Sequence, residues 1–158
     1  MIIPHQEAMQ HAVRLSHEKM LAGAGGPFGA VIVLDNKIIG SGWNQVTSLN
    51  DPTAHAEIVA IRQACQNTAA FHLKDAVLYT SCEPCPMCLA AAFWARIKKI
   101  FYANTRQDAA LIGFDDEFFY SEFSKPFHDR QVPMEQLGRD DAIKVFDAWM
   151  KKIDKIHY

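Results

Sequence analysis

The sequence has few cysteines, little net charge and no long apolar run. Its 158 residues carry a formal net charge of −2, so they lack the positive field that draws nucleic-acid-binding proteins to phosphates. No apolar stretch approaches the roughly 20 residues that span a bilayer, and the N-terminus carries neither a basic leader nor an apolar block. These absences predict a cytoplasmic protein without a nucleic-acid or membrane partner.

The composition is that of a folded domain. Hydrophobic residues make up 49% of the chain and charged residues 22%, which allows a sizeable core and excludes an intrinsically disordered chain. No repeat or low-complexity linker interrupts the sequence. We therefore predict a single domain over residues 1–158.

The apolar pattern predicts strands that alternate with helices. The predicted helices cover residues 6–21, 54–61 and 89–95, and the predicted strands cover residues 28–34, 38–40, 76–80 and 97–103. From residue 140 onward apolar residues share one helical face, whereas residues 106–137 show no regular period. Strands joined by helical crossovers predict a layered α/β domain in which helices cover a mixed sheet.

Three of the four cysteines lie within seven residues, at Cys82, Cys85 and Cys88. A reducing compartment disfavours disulfides, so this crowding favours a metal site or catalytic chemistry. Cys85 and Cys88 are three residues apart, and Pro86 between them is typical of the first residue of a helix. Both thiols would then lie at the positive end of that helix, where the thiolate form that binds metal is stabilised.

His55 is the predicted third ligand, because it also opens a helix after a turn-forming cluster at residues 50–53. Three protein ligands leave the fourth position of a tetrahedral Zn²⁺ to water, as in catalytic zinc sites. Glu57 lies two residues further on, over the same helix end. Zn²⁺ with two thiolates and a neutral imidazole carries no net charge, so Glu57 is not needed as a ligand and can accept a proton from the water.

His55-Ala56-Glu57, followed by Pro84-Cys85-Pro86-Met87-Cys88, resembles the signature of the zinc-dependent nucleobase deaminases. The resemblance extends over nearly the whole chain, through GGPFGAVIV, Asn44, DPTAHAEIVAIR, LYTSCEPCPMC and IKKIFYA. It implies a three-layer αβα, cytidine-deaminase-like fold with a five-stranded mixed sheet. Within the family, the sequence is most similar to bacterial guanine deaminases, in GFDD at residues 113–116 and in the C-terminal tyrosine.

This resemblance implies a zinc-dependent aminohydrolase that acts on a cyclic amidine, converting guanine to xanthine and ammonia with a zinc-activated water. It implies one Zn²⁺ per chain, held by His55, Cys85 and Cys88, with Glu57 as the catalytic residue. The implied substrate-binding residues are Phe28, Asn44, Ala56 through its backbone, Asp116 and Tyr158. A homodimer is also implied, in which the C-terminal segment, about residues 140–158, exchanges between subunits to close the partner's pocket.

Other functions share some of these features. Cys82 would complete a closed structural zinc site, and its spacing to Cys85 and Cys88 also resembles part of an iron–sulfur motif. A tRNA adenosine deaminase or a cytosine or cytidine deaminase shares the metal signature, although a tRNA enzyme needs a basic surface. A non-catalytic zinc module would bind a partner through the aromatic segment at residues 113–133.

Overall fold

The computed structural model describes residues 4–157 and divides the chain into two compact units, one that ends at Glu117 and one that begins at Phe118. The helices are α1 (His5–Leu21), α2 (Val46–Leu49), α3 (Ala56–Thr68), α4 (Pro86–Trp94), α5 (Arg106–Leu111), α6 (Glu117–Ser124) and α7 (Arg139–Lys151). The strands are β1 (Gly29–Leu34), β2 (Lys37–Trp43), β3 (Val77–Cys82) and β4 (Lys99–Asn104). The predicted alternation of strands and helices is confirmed.

The sheet is mixed and has the order β2-β1-β3-β4. β1 and β2 form a hairpin, whose turn at Asp35 and Asn36 takes the left-handed backbone (φ 48° and 59°) that two-residue hairpin turns require. β3 pairs antiparallel with β1, and β4 pairs parallel with β3. Because α4 connects two parallel strands, it crosses over the sheet and starts close to the end of β3.

Helices cover both faces of the sheet in the first unit. Side chains alternate along β1, so Ile32 packs with Ala60 of α3 whereas Val31 packs with Ala12 of α1. The predicted α/β class with helices on both sides of a mixed sheet is therefore confirmed.

Two glycines of β2 let α3 lie directly on the sheet. A Cβ added to Gly42 would lie 2.2 Å from the carbonyl oxygen of Ala56, and a Cβ added to Gly40 would lie 2.4 Å from that of Ala60. Both distances are far shorter than a van der Waals contact, so a side chain at either position would push the helix away. The close approach fixes the first turn of α3 against the sheet.

The number of strands and the structure of residues 106–137 differ from the predictions. The described residues form four strands rather than five. The five-stranded sheet was implied by the family resemblance, whereas the apolar pattern of the sequence contains only four β-rich runs. Residues 106–137 contain α5 and α6. α5 begins with a capping box, in which Thr105 Oγ1 accepts from Asp108 N and the Asp108 carboxylate accepts from Thr105 N. This Thr-x-x-Asp pattern starts a helix directly after β4.

The second unit contains a buried carboxylate and, in α7, a helix with exposed apolar residues. Glu122 of α6 accepts a hydrogen bond from the backbone N of Gln131 at 2.8 Å and forms an ion pair with Lys125. α7 carries the predicted apolar face, and Phe146 and Met150 on it are 68% and 65% exposed. Throughout residues 4–157, every helix is too short or too polar to pass through a lipid bilayer.

Candidate functional site

His55 stands at the start of α3. Its backbone is extended (φ −68°, ψ 157°), and its carbonyl oxygen accepts the first helical hydrogen bond, from Val59 N at 3.0 Å. The preceding turn is held by Asp51, whose carboxylate accepts from the backbone N and the hydroxyl of Thr53 at 2.8 and 2.7 Å. The turn-forming cluster therefore places His55 at the N-terminal end of α3, as predicted.

Cys85 and Cys88 stand at the start of α4. Cys85 precedes the helix with an extended backbone (φ −65°, ψ 167°), Pro86 is the first helical residue, and Cys88 lies in the first turn. Ile58 of α3 packs against both cysteines. This packing brings the first turns of two helices together, and with them the three predicted ligands.

The three ligand atoms form a cluster of the size that zinc requires. His55 Nδ1 lies 3.6 Å from Cys85 Sγ and 3.6 Å from Cys88 Sγ, and all three atoms lie within 4.8 Å of one another. Tetrahedral zinc bonds of about 2.0–2.1 Å to nitrogen and about 2.3 Å to sulfur separate the two ligand atoms by about 3.6 Å. The residues therefore fit Zn²⁺, with its fourth position left open.

The two cysteines titrate as a pair. A hydrogen bond from Cys88 lowers the pKa of the Cys85 thiol to about 4, whereas the hydrogen bond to Cys85 and burial raise the pKa of Cys88. The metal-free pair therefore holds one proton at neutral pH. A divalent cation displaces that proton and balances two thiolates, so the charge of the donor set also fits zinc.

Glu57, the second residue of α3, is buried beside the ligands, with 6% of its surface exposed. Its Oε2 accepts a hydrogen bond from the Cys88 thiol at 3.3 Å, and its Oε1 accepts one from the Thr80 hydroxyl at 3.0 Å. Burial away from water raises the pKa of Glu57. A carboxyl group that can hold a proton beside the metal position is suited to general acid–base chemistry.

Cys82 lies outside the ligand cluster. Its thiol donates to the carbonyl oxygen of Thr105 at 3.6 Å, and burial raises its pKa to about 11, so it stays protonated at neutral pH. Over the part of the chain that the structure describes, the metal-ligating group consists of His55, Cys85 and Cys88. This geometry argues against the closed zinc site and the iron–sulfur site, both of which would use Cys82.

A cavity of about 440 Å³ opens onto the ligand cluster. All its lining residues belong to the first unit, and they include Gly26, Phe28, Asn44, His55, Glu57 and Asp116. Phe28 and Phe114 form one wall, where their rings meet edge to face at a centroid distance of 4.8 Å. The volume is typical of a small-molecule site and is large enough for a purine base.

Asn44 is oriented by the backbone around it. Its Oδ1 accepts hydrogen bonds from Gly26 N at 3.4 Å and from Val46 N at 3.3 Å. Because both contacts require an acceptor, the amide nitrogen Nδ2 is left as the group available to a molecule in the cavity. Asn44 therefore offers a hydrogen-bond donor to a ligand.

Asp116 offers the complementary group. It lies on the loop after α5, where Gly113 takes a left-handed backbone (φ 93°) and Asp116 N donates to the carbonyl oxygen of Phe114 at 3.2 Å. Burial raises the pKa of Asp116, and the negative charge of the Cys85 thiolate adds to this effect. When ionised, its carboxylate can accept N–H donors of a ligand.

The remaining predicted substrate residues are Ala56 and Tyr158. Ala56 is fully buried at the first position of α3, and its side chain is not part of the cavity wall. The cavity lining does not include Ala56, so the role of its backbone in substrate binding stays a prediction. Tyr158 lies outside the described residues.

Two further residues shape the site. A Cβ added to Gly25 would lie 1.7 Å from the carbonyl oxygen of Asn44, so only glycine allows this close approach. Thr80 of β3 donates to Glu57. Alternation along β3 could have indicated Thr80, since it shares with Leu78 the face that α3 covers. Gly25 carried no such signal, because a glycine-rich run that ends in a proline, as at residues 23–27, is equally typical of a helix end.

Known proteins share both the sequence and the fold. Residues 3–104 match the family described as the cytidine and deoxycytidylate deaminase zinc-binding region. The chain is 51% identical to the guanine deaminase of Bacillus subtilis over 98% of this chain and 99% of that protein. The X-ray structure of guanine deaminase from Bacillus subtilis matches 99% of both chains with a TM-score of 0.96. The tRNA-specific adenosine deaminase of Haemophilus influenzae is 38% identical over 93% of this chain and 84% of that protein.

Proposed function

Because the chain belongs to the cytidine and deoxycytidylate deaminase family, we propose that it is a zinc-dependent aminohydrolase that converts guanine and water to xanthine and ammonia. The observation that carries this proposal is one cavity onto which a three-ligand metal site, a buried carboxyl group and two oriented polar side chains converge. The near-full-length likeness to the Bacillus subtilis guanine deaminase supports guanine as the base.

The polar groups of the cavity match the edges of guanine. Guanine presents a carbonyl acceptor at O6, which suits the Nδ2 donor of Asn44, and ring N–H donors, which suit the carboxylate of Asp116. Adenine has no carbonyl group. Phe28 and Phe114 supply the aromatic wall against which a flat base packs.

Zinc, held by His55, Cys85 and Cys88, would supply Lewis-acid activation of a water molecule. The water oxygen bonds to C2 while Glu57 takes one proton from this water and passes it to the ring nitrogen beside C2. Glu57 then takes the second proton of the same water and passes it to the departing amino group. The bond from C2 to the amino nitrogen breaks, a carbonyl group forms at C2, and the nitrogen leaves as ammonia. Asn44 and Asp116 hold the base so that C2 faces Glu57.

The alternatives are supported less well. A tRNA adenosine deaminase must hold a polyanion, whereas this chain has a net charge of −2 and is 38% identical to the Haemophilus influenzae tRNA-specific enzyme, against 51% to the guanine deaminase. A non-catalytic zinc module would have no use for a buried carboxyl group such as Glu57 at the metal position.

Ammonia release from a panel of substrates tests the proposed activity. We expect release from guanine, and no release from cytosine, cytidine, adenine or a tRNA anticodon arm. D116A should keep its zinc and lose about 10- to 100-fold in kcat/KM on guanine, because one hydrogen bond to a charged group is removed.

D115A is the matched control, since Asp115 is the neighbouring acid and does not line the cavity. It should deaminate guanine like the wild type. Turnover of the nucleosides or tRNA without turnover of guanine would overturn the proposed activity. If D116A kept the wild-type kcat/KM, Asp116 would have no role in binding guanine.

We also propose that two copies form a homodimer in which the segment from about residue 140 exchanges between subunits and closes the partner's cavity. The exposed apolar side chains of α7, Phe146 and Met150 among them, support a partner surface there. A second copy is the simplest partner, because most oligomers of this kind are symmetric dimers of one chain.

Sedimentation equilibrium tests the dimer. The wild type should sediment at twice the chain mass of 17.8 kDa, and the double variant F146D/M150D should sediment as a monomer with lower guanine turnover. K144A, on the same helix, should stay dimeric because Lys144 is an exposed side chain paired with Asp141. A monomeric wild type would rule out the dimer and leave the proposed reaction standing.

We infer a cytoplasmic location. All four cysteines are free thiols, and two of them must stay reduced to hold a metal. A reducing compartment maintains that state.

A further inference from the structure

Thr80 occupies a buried position on the face of β3 that α3 covers. It is 1% exposed and pairs with Ala30 of β1 and Tyr102 of β4, so its backbone is fixed on both sides. Its Oγ1 donates to Glu57 Oε1 at 3.0 Å. The hydroxyl therefore joins the rigid centre of the sheet to the carboxyl group beside the metal ligands.

A hydroxyl at this position is not explained by packing. A buried hydroxyl costs free energy unless it has a partner, and valine has nearly the same shape and suits a strand better. The adjacent Ser81 differs, since its Oγ accepts from the backbone N of Gly29 at 3.0 Å and so holds two strands together. Thr80 contacts Glu57 instead of backbone, which indicates a role at the site.

The contact makes the two oxygens of Glu57 unequal. Oε1 is held by Thr80, whereas Oε2 lies 3.3 Å from Cys88 Sγ, on the side of the metal ligands. Cys88 has no proton to donate once it is a metal ligand, because metals bind the thiolate. Thr80 then holds the carboxyl group, and Oε2 is the oxygen free to exchange a proton.

We propose that Thr80 is a positioning residue, whose hydroxyl fixes the Glu57 carboxyl group so that Oε2 takes the proton from water and delivers it to the substrate. The proposal rests on the proposed deamination. In a protonated carboxyl group the carbonyl oxygen is a better hydrogen-bond acceptor than the hydroxyl oxygen, so the hydrogen bond from Thr80 to Oε1 favours the proton on Oε2. Without Thr80 the carboxyl group can rotate and present either oxygen in varying positions.

The kinetic test compares T80V with T80S. T80V, which keeps the shape and removes the hydroxyl, should hold its zinc and lose about 10- to 100-fold in kcat on guanine, with little change in KM. T80S keeps the hydroxyl and should recover most of the wild-type kcat. If T80V does not fold, T80A replaces it and should show the same loss in kcat with its zinc retained.

T68V is the matched control, because Thr68 Oγ1 donates to the Ala64 carbonyl oxygen at 2.8 Å at the other end of α3. It should keep the wild-type kcat. A second readout needs neither zinc nor turnover. In urea unfolding of the metal-free protein, T80V should lower the midpoint when Glu57 is present, and should leave it unchanged or raise it in the E57L background, where the Thr80 hydroxyl has lost its partner.

Any of three results would overturn the role of Thr80. T80V could keep the wild-type kcat, T80S could lose as much kcat as T80V, or T80V could shift the unfolding midpoint equally in the Glu57 and E57L proteins. A wild type that does not deaminate guanine would instead refute the proposed function. The urea unfolding of T80V with and without E57L would still report whether Thr80 and Glu57 interact.

Discussion

E57Q should keep one zinc per chain and lose about 10²- to 10⁴-fold in kcat on guanine, the usual contribution of a positioned acid–base group. Glutamine has the size of glutamate and can still accept the hydrogen bond from Thr80, so the packing of α3 on β3 is retained. It cannot take up a proton from water. Metal analysis and the rate of ammonia release from the same preparation measure both effects.

E7Q is the control for E57Q, because Glu7 is an exposed acid in the first turn of α1. It should behave like the wild type. If E57Q kept the wild-type kcat, the group that carries the proton would be a residue other than Glu57. If neither the wild type nor E57Q released ammonia, the result would support the non-catalytic zinc module.

C88S should purify without stoichiometric zinc and show no measurable guanine turnover. Serine has nearly the size of cysteine, but its hydroxyl does not ionise at neutral pH and is a poor zinc ligand. Loss of one of three protein ligands leaves too few to hold the ion. Zinc content by elemental analysis and ammonia release by coupled assay measure the result.

C82S separates an open metal site from a closed one. Cys82 donates to the Thr105 carbonyl oxygen and lies outside the ligand cluster, so C82S should keep both zinc and turnover. If C82S lost zinc as C88S does, Cys82 would fill the fourth position. The hydrolytic mechanism would then have no place for water.

The metal ligands could be predicted because each depends on local chemistry. Pro86 after Cys85 and the turn cluster before His55 both mark helix starts, and the structure places these residues at the first turns of α4 and α3. Zinc geometry then requires the two helix ends to meet, and the 3.6 Å distances from His55 Nδ1 agree with it. Local rules and metal chemistry point to the same arrangement.

Contacts between distant segments could not be predicted in the same way. Thr80 and Glu57 are 23 residues apart, and their contact depends on the register of β3 under α3. The approach of Gly25 to Asn44 likewise depends on how two loops pack. α5 was missed for another reason: its Thr105-x-x-Asp108 capping box is visible in the sequence but lies in a segment with no clear apolar period.

Ammonia release from guanine, measured as zinc is added back to metal-free protein, tests the central claim most directly. The open three-ligand site predicts that turnover rises in proportion to zinc and stops rising at one equivalent per chain. Turnover by the metal-free chain, or none at one equivalent, would contradict it.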